Sequence, residues 1–269
     1  ELKEGFCSGT TSLNSIEVSP DNKKYASYNG EYLTTKGENN GSELLFVRRN
    51  IEEFSIPSIV KKIGGYAFQT CHNLKIVTFS PSSDQSHIDT IDDHSFSECM
   101  NLERIEIPAN IIKRIGKHAF SSCKKLKTVN FIYQEGSTKS ILQEIDDNSF
   151  SGCESLIEIN IPSTVKRIGS ACFQTCTNLK NVSIQEPSSL ESFGNYSFSY
   201  CSSLEKISIP KNVNCLGEFS FQSCSSLRSV SFLSSPDGKS SISYLSNFSF
   251  SYCKGLESII IPANVKIIG

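Results

Sequence analysis

Apolar residues recur along this chain in one fixed order: a leucine, a β-branched residue three positions later, and another apolar residue two positions after that. The first clear case is Leu74-x-x-Val77-x-Phe79, in which Val77 and Phe79 alternate with Ile76 and Thr78. An alternation with a period of two is typical of a short strand with one buried face. The pattern therefore predicts a series of short strands that each bury every second side chain.

The same pattern is preceded each time by Phe-x-x-Cys, and the complete unit occurs eight times. Self-similarity at a period of roughly 20–30 residues is the sequence signature of a leucine-rich-repeat solenoid. One such coil cannot bury its apolar face alone, so the coils are expected to stack into an elongated body. The phenylalanine column comprises Phe68, Phe96, Phe120, Phe150, Phe173, Phe198, Phe221 and Phe250, and the cysteine column comprises Cys71, Cys99, Cys123, Cys153, Cys176, Cys201, Cys224 and Cys253.

The residues between successive strands predict a turn and a short helix. An Ile-Pro pair ends every second strand, because proline has no amide hydrogen to donate to a ladder. Gly, Asp or Ser mostly stands at the position that begins with Gly64, and these residue types favour a helix N-cap. Phe68 and Cys71 follow at i and i+3, on one face of a helical turn. The predicted fold is an α/β repeat solenoid, a horseshoe with a parallel β-sheet on one face and short helical turns on the other. The proline column comprises Pro57, Pro108, Pro162, Pro210 and Pro262.

We predict two regions along the chain. Residues 1–55 form an irregular amino-terminal repeat and cap region, and residues 56–269 form eight coils plus the start of a ninth, in what we interpret as a fragment of a longer protein. Coils that are not reached through Ile-Pro carry polar inserts, so the natural unit is a pair of coils. The inserts are expected to emerge along one edge, either as tolerated insertions or as part of a binding surface. They span residues 80–87, 132–140, 185–189 and 233–241.

Charge and composition argue against several classes of protein. The formal net charge is −2, which provides no basic field for nucleic acid. No run approaches about 18 apolar residues, so we predict no membrane span in this stretch. Eight of the eleven cysteines occupy the column, at a slot for a small apolar side chain, and we expect reduced thiols there. The spacing of Cys7, Cys172 and Cys215 does not suggest a metal site.

Candidate groups for catalysis or metal binding are few. His94 and His118 occupy equivalent positions in adjacent coils, with Asp93 nearby, but unrelated residue types fill the same column elsewhere. In the pairs Asp92-Asp93 and Asp146-Asp147, the first members are interpreted as capping residues, and adjacent carboxylates on a turn are expected to diverge. Motifs of nucleophilic enzymes, phosphate loops and zinc proteases are missing from the sequence. We therefore predict a non-enzymatic protein with no cofactor and no metal.

Residues 107–131, Ile-Pro-Ala-Asn-Ile-Ile-Lys-Arg-Ile-Gly-Lys-His-Ala-Phe-Ser-Ser-Cys-Lys-Lys-Leu-Lys-Thr-Val-Asn-Phe, closely resemble the BspA-like class of leucine-rich repeats. The resemblance covers about four fifths of the chain. It implies a non-enzymatic surface or secreted protein of bacteria or mucosal protozoan parasites. It also implies adhesion to host matrix proteins or to other cells, a form of host–parasite interaction.

The outward positions of the predicted strands are the candidate ligand-binding residues, on the concave face of the horseshoe. This face is polar, short-chained and mixed in charge, and it would suit hydrogen bonds to a protein partner or to a glycan. A solvated sheet with no partner is the alternative interpretation. The candidate residues are Arg104, Glu106, Thr128, Asn130, Glu158, Asn160, Asn181, Ser183, Lys206 and Ser208.

Two functions remain open from the sequence. The first is adhesion through a protein partner at the cell surface or outside the cell, and the alternative is an intracellular interaction scaffold in the cytoplasm. Self-association through the open carboxyl end is also expected. Asn-x-Ser sequons, which favour the first function if they carry glycans, begin at Asn40, Asn181, Asn195 and Asn247.

Overall fold

The computed structural model describes residues 2–37, 42–80, 88–133, 139–235 and 240–269. Within these ranges the chain forms strands and turns and has no helix, so the predicted short helical turns are wrong. Asn40 and parts of three inserts, residues 81–87, 134–138 and 236–239, lie outside the described residues. The strands in chain order are β1 (Tyr25–Tyr28), β2 (Tyr32–Thr35), β3 (Ser42–Val47), β4 (Glu53–Ile56), β5 (Val60–Ile63), β6 (Ile76–Phe79), β7 (Thr90–Ile91), β8 (Arg104–Pro108), β9 (Arg114–Ile115), β10 (Thr128–Ile132), β11 (Glu144–Ile145), β12 (Glu158–Ile161), β13 (Arg167–Ile168), β14 (Asn181–Ile184), β15 (Ser192–Phe193), β16 (Lys206–Ile209), β17 (Cys215–Leu216), β18 (Ser229–Phe232), β19 (Tyr244–Leu245), β20 (Ser258–Ile259) and β21 (Ile267–Ile268).

These strands build two sheets that both run along the solenoid, and a third sheet that contains only β19 and β21. The nine-stranded sheet has the order β20-β18-β16-β14-β12-β10-β8-β6-β4, and we call it the long-strand sheet. The ten-stranded sheet has the order β1-β2-β3-β5-β7-β9-β11-β13-β15-β17, and we call it the short-strand sheet because six of its strands have only two residues. Repeat strands pair in parallel within each sheet. The predicted parallel solenoid is therefore confirmed, with a second sheet that the sequence did not indicate.

The core contains a continuous stack of phenylalanine rings, one from each coil. Ring centroids of successive members lie 4.5 Å apart between Phe68 and Phe96 and 5.4 Å apart between Phe221 and Phe250. Every member except Phe250 is fully buried. Buried aromatic side chains contribute a large apolar area and a favourable offset-stacking geometry. Packing within the phenylalanine column therefore stabilises the stack of coils.

The segment around each phenylalanine is a series of turns because its amide groups bond to the next coil. The amide of Phe68 donates to the carbonyl of Ser95 at 2.7 Å, which leaves no i→i−4 helical bond at this position. The residues two before and two after the phenylalanine, Tyr66 and Thr70 in this coil, have φ values of 64° and 61°. Such left-handed residues interrupt a right-handed helix. The i, i+3 spacing of Phe68 and Cys71 therefore belongs to consecutive turns.

The column that begins with Gly64 consequently caps no helix. Glycine at this position allows the close approach of neighbouring coils, because a Cβ on Gly217 would lie 2.3 Å from the carbonyl carbon of Gly194. The aspartates of the column, Asp92 and Asp146, form ion pairs instead. The predicted capping role of Asp92 and Asp146 is wrong for this reason.

The cysteine column forms a second ladder beside the phenylalanine stack. All eleven cysteines are free thiols, as expected for the column. Each column thiol from Cys99 onward donates to the phenylalanine carbonyl of the preceding coil, as Cys176 does to Phe150 at 3.2 Å. Burial raises the pKa of the Cys71 thiol to about 12. The column cysteines are therefore neutral donors that satisfy buried carbonyls.

The proline column divides the long-strand sheet into pairs of coils. Gln185, the residue after β14, donates its amide to Ile161 at 2.9 Å. The equivalent residue after β12 is Pro162, which has no amide hydrogen to donate toward β10. Strand β12 accordingly pairs with β14 over four residues but with β10 over only two. The same alternation separates β4–β6, β8–β10 and β16–β18 from their neighbours.

The amino-terminal region continues the short-strand sheet. Strands β1, β2 and β3 pair antiparallel, and β3 pairs with β5 in parallel. Gly5 and Gly9, with φ values of 68° and 73°, flank Cys7 as left-handed residues flank each column phenylalanine. Cys7 thus stands at a phenylalanine position of an additional, degenerate coil. The division at residue 55 remains a prediction.

Candidate ligand-binding face

The ten predicted site residues all lie on the outward face of the long-strand sheet. Nine are exposed, and Thr128 is half-buried. Ile105, Val129, Ile159 and Ile207, which alternate with them, are buried in the core. The period of two in the sequence therefore correctly separates the outward residues from the core.

Strand register arranges these residues in rows that cross the sheet. Glu158 is opposite Thr128 on one side and Asn181 on the other. Thr128 is in turn opposite Arg104, and Asn181 is opposite Lys206. Neighbouring strands are about 4.8 Å apart, so the row from Arg104 to Lys206 spans about 19 Å. We call it the charged row.

A shallow depression of about 260 Å³ lies on this face between β10, β12 and β14. It is located where β10 and β12 stop pairing after Val129 and Ile159, three positions before Pro162, which has no amide hydrogen to donate. Ser183 donates a hydrogen bond from Oγ to Asn160 Oδ1 at 3.1 Å across the depression. Six of the predicted site residues line it, namely Thr128, Asn130, Glu158, Asn160, Asn181 and Ser183.

The charged side chains of this face are available for a partner. Within the described part of the chain, Arg104, Glu106, Glu158 and Lys206 form no ion pair. The ion pairs on this side involve the position before the strand, as in Glu103–Lys127 at 3.3 Å, and are half exposed. The four charges are therefore solvated when the protein is free.

The outward face of the short-strand sheet has the opposite character. Arg114 bonds Asp93 at 2.8 Å and Asp146 at 2.9 Å, and Arg167 bonds Asp146 at 3.1 Å and Asp147 at 2.7 Å. Burial alone would raise the pKa of Asp146, but hydrogen bonds from Arg114, the Asp147 amide and Arg167 together lower it. We call these five residues the ion-pair network. Sequence reasoning missed it, although arginine recurs two positions before Gly116 and Gly169.

His94 and His118 are neighbours, as the repeat alignment predicts. Their rings stack with centroids 4.7 Å apart, and Tyr66 stacks on His94 at 4.8 Å. Burial is the largest influence on both histidines and lowers their pKa. The described residues include no group of three or more His, Cys, Asp or Glu side chains that could hold a metal ion. The histidine pair therefore belongs to a stack of rings on the turn side.

A stack of parallel coils with one largely polar, exposed sheet face is typical of a leucine-rich-repeat solenoid. The chain belongs to the family described as BspA type leucine rich repeat region, whose model matches residues 42–143 and 143–269 in six copies. That family is defined by its repeats and not by a catalytic centre. In the ranges that the structure describes, no helix has the length and apolar character that a membrane span requires.

Solved structures of bacterial proteins share the fold. A leucine rich cell surface protein of Faecalibacterium prausnitzii is 21% identical, with a TM-score of 0.66 over 90% of this chain and 72% of that protein. A leucine-rich repeat protein of Eubacterium ventriosum is 27% identical, with a TM-score of 0.69 over 87% of this chain and 57% of that one. The pneumococcal vaccine antigen PcpA is 21% identical, with a TM-score of 0.54 over 92% and 78%. A comparison with curated proteins gave no significant match.

Proposed function

We propose that this chain is a non-enzymatic binding protein that presents the outward face of its long-strand sheet to a protein of a host cell or matrix. The observation that carries the proposal is the contrast between the two outward faces. Charges of the ion-pair network are already bonded within the protein, whereas Arg104, Glu158 and Lys206 remain solvated. A solvated, pre-aligned set of hydrogen-bonding groups is suited to electrostatic complementarity with a partner.

A location at the cell surface or outside the cell is part of this proposal. Two structural neighbours support it, since one is described as a cell surface protein and another as a vaccine antigen. An intracellular interaction scaffold is the second candidate. The eleven free thiols favour it, because disulfides form mainly in oxidising compartments.

The test is saturable binding of labelled, folded protein to epithelial cells and to immobilised matrix proteins. A triple variant, Arg104→Glu, Glu158→Lys and Lys206→Glu, should lose this binding. The matched control reverses the same charges on the short-strand side, as Lys113→Glu, Glu144→Lys and Lys166→Glu, all of which are exposed. Equal loss in both variants would contradict the choice of face. The absence of saturable binding by the unmodified protein would favour the scaffold.

A further inference from the structure

The depression between β10, β12 and β14 has a polar lining with one charge. Its side chains supply three carboxamides, from Asn130, Asn160 and Asn181, two hydroxyls and the carboxylate of Glu158. Val129 and Ile159 direct their side chains into the core, because both are buried. The lining is therefore rich in hydrogen-bond acceptors and includes no exposed apolar side chain. Such a site does not suit an apolar anchor residue.

Glu158 is the only ionised group in this lining. Within the described residues its carboxylate forms neither an ion pair nor a hydrogen bond, and the side chain is exposed. The carboxamide oxygens around it are uncharged acceptors. A carboxylate surrounded by neutral acceptors favours a cation that can donate several hydrogen bonds. Lysine and arginine side chains of a protein partner have this chemistry.

The positions on either side of the depression carry the opposite charge. Arg104 lies two strands from Glu158 on one side, and Lys206 lies two strands away on the other. The charged row is thus positive, negative and positive, with intervals of about 10 Å. These cations would repel a basic group placed beside the depression and would attract acidic groups there.

We propose that the Glu158 depression receives a lysine or arginine side chain of a protein partner that carries an acidic residue on each side of that basic residue. The inference rests on the proposed function, because it names the partner chemistry of the same face. A peptide in the polyproline II conformation advances about 9 Å in three residues and returns every third side chain to the same face, so a segment of the form acidic-x-x-basic-x-x-acidic matches the row. The partner segment then runs across the strands of the long-strand sheet.

The direct test uses N-acetyl-arginine amide and three thirteen-residue peptides as probes. One peptide has the sequence pattern aspartate-x-x-arginine-x-x-aspartate, one has the inverted charges, and one has the same composition in scrambled order. Two-dimensional NMR follows the side-chain amides of Asn130, Asn160 and Asn181 during titration. We expect saturable shifts with the arginine probe, tighter binding of the patterned peptide, and weakening by added salt.

Glu158→Gln should weaken binding of the patterned peptide about tenfold or more, because it removes the charge-assisted bond. Glu144→Gln, an exposed glutamate on the short-strand sheet, is the matched control and should leave affinity within about twofold. Equal affinity for the three peptides would overturn the inference. A neutral oligosaccharide that shifts the same amides while the arginine probe does not would also overturn it.

Cell binding separates this inference from the proposed function. In one outcome, Glu158→Gln binds cells as well as the unmodified protein does, whereas the triple charge-reversal variant loses binding. The face would then bind a partner, but the depression would not bind a cation. If neither variant changes cell binding, the proposed function fails as well. Loss in both variants, together with the peptide result, supports both statements.

Discussion

The two outward faces of this solenoid are built from the same repeats but use their charges differently. On the short-strand sheet, Asp146 is almost fully buried and is bonded by Arg114 and Arg167. On the long-strand sheet, Glu158 is exposed at a comparable height in the stack and has no bonded cation among the described residues. The carboxylate of Asp146 is neutralised within the protein, and that of Glu158 is left to solvent.

This difference indicates which side of a repeat protein can change partner without changing fold. Side chains in the ion-pair network connect successive coils, so their replacement alters stability. Side chains of the charged row contact little besides water, so their replacement alters recognition first. The contrast is testable at four levels, which follow in order of expected effect.

The largest effect belongs to the core that the two faces share. Phe150→Ala should lower the free energy of unfolding by about 3–5 kcal/mol, because it removes a fully buried ring and leaves a cavity in the stack. Phe250→Ala is the matched control at the less buried end of the column and should cost less. Urea unfolding monitored by circular dichroism measures both. Equal losses of unfolding free energy in the two variants would contradict the idea that a ring stacked between two neighbours contributes more than the ring at the end of the column.

The ion-pair network should show the next effect. Asp146→Ala removes hydrogen bonds to two arginines and one amide, and we expect a loss of about 2 kcal/mol in the free energy of unfolding. Glu158→Gln on the other face should cost less than about 0.5 kcal/mol. Urea titrations of the two variants measure both losses in the free energy of unfolding. Similar losses would contradict the difference between the two faces.

Acidification should weaken the ion-pair network. The pKa of Asp146 is lower in the folded protein than in the unfolded chain, because hydrogen bonds from Arg114, the Asp147 amide and Arg167 outweigh the upward effect of burial. The resulting stabilisation is fully present above the unfolded pKa, about 4, and is lost as pH falls below it through the folded value. Urea midpoints between pH 6 and pH 2.5 should therefore decrease less in Asp146→Ala than in the unmodified protein. Parallel curves for the two proteins would contradict this.

Thiol labelling should give the smallest effect on stability. Cys215, the first residue of β17, is exposed on the short-strand face, whereas the column cysteines from Cys71 to Cys201 are buried and burial raises their pKa. A thiol reagent should modify Cys215 rapidly in the folded protein and the column cysteines from Cys71 to Cys201 only after unfolding. Attachment of a bulky maleimide to Cys215 should leave cell binding intact, whereas the same label on Ser208→Cys should block it. Mass spectrometry locates the label, and block by both labels would contradict the distinction.

Much of the fold could be predicted from the sequence, because strand periodicity and the Phe and Cys columns are local signals. The ten candidate residues between Arg104 and Ser208 were assigned to one outward face in this way, and the structure places them there. The helical turns were predicted wrongly, since an i, i+3 pair such as Phe68 and Cys71 fits a helix and consecutive turns equally well. What decides between them is the destination of the amide groups, which bond to the next coil.

The short-strand sheet and the ion-pair network could not be predicted in the same way. A strand of two residues, such as Thr90–Ile91, is too short to show a period. Arg114 and Asp146 are 32 residues apart, and their contact depends on the stacking distance between coils. The depression around Glu158 also needed the structure, because it arises from the end of pairing between β10 and β12.

The proline column also has a consequence for how such a chain can grow or shrink. Pro162 and its equivalents reduce strand pairing between one pair of coils and the next, whereas pairing within a pair is complete. A pair of coils, which we call a two-coil module, is therefore the unit whose duplication preserves the register of the sheet. If a whole module is lost, a strand followed by an insert still lies beside a strand that ends in proline, as in the present stack. Loss of a single coil would place two strands of the same kind side by side. Recombination among genes of this type should therefore change the number of coils by twos.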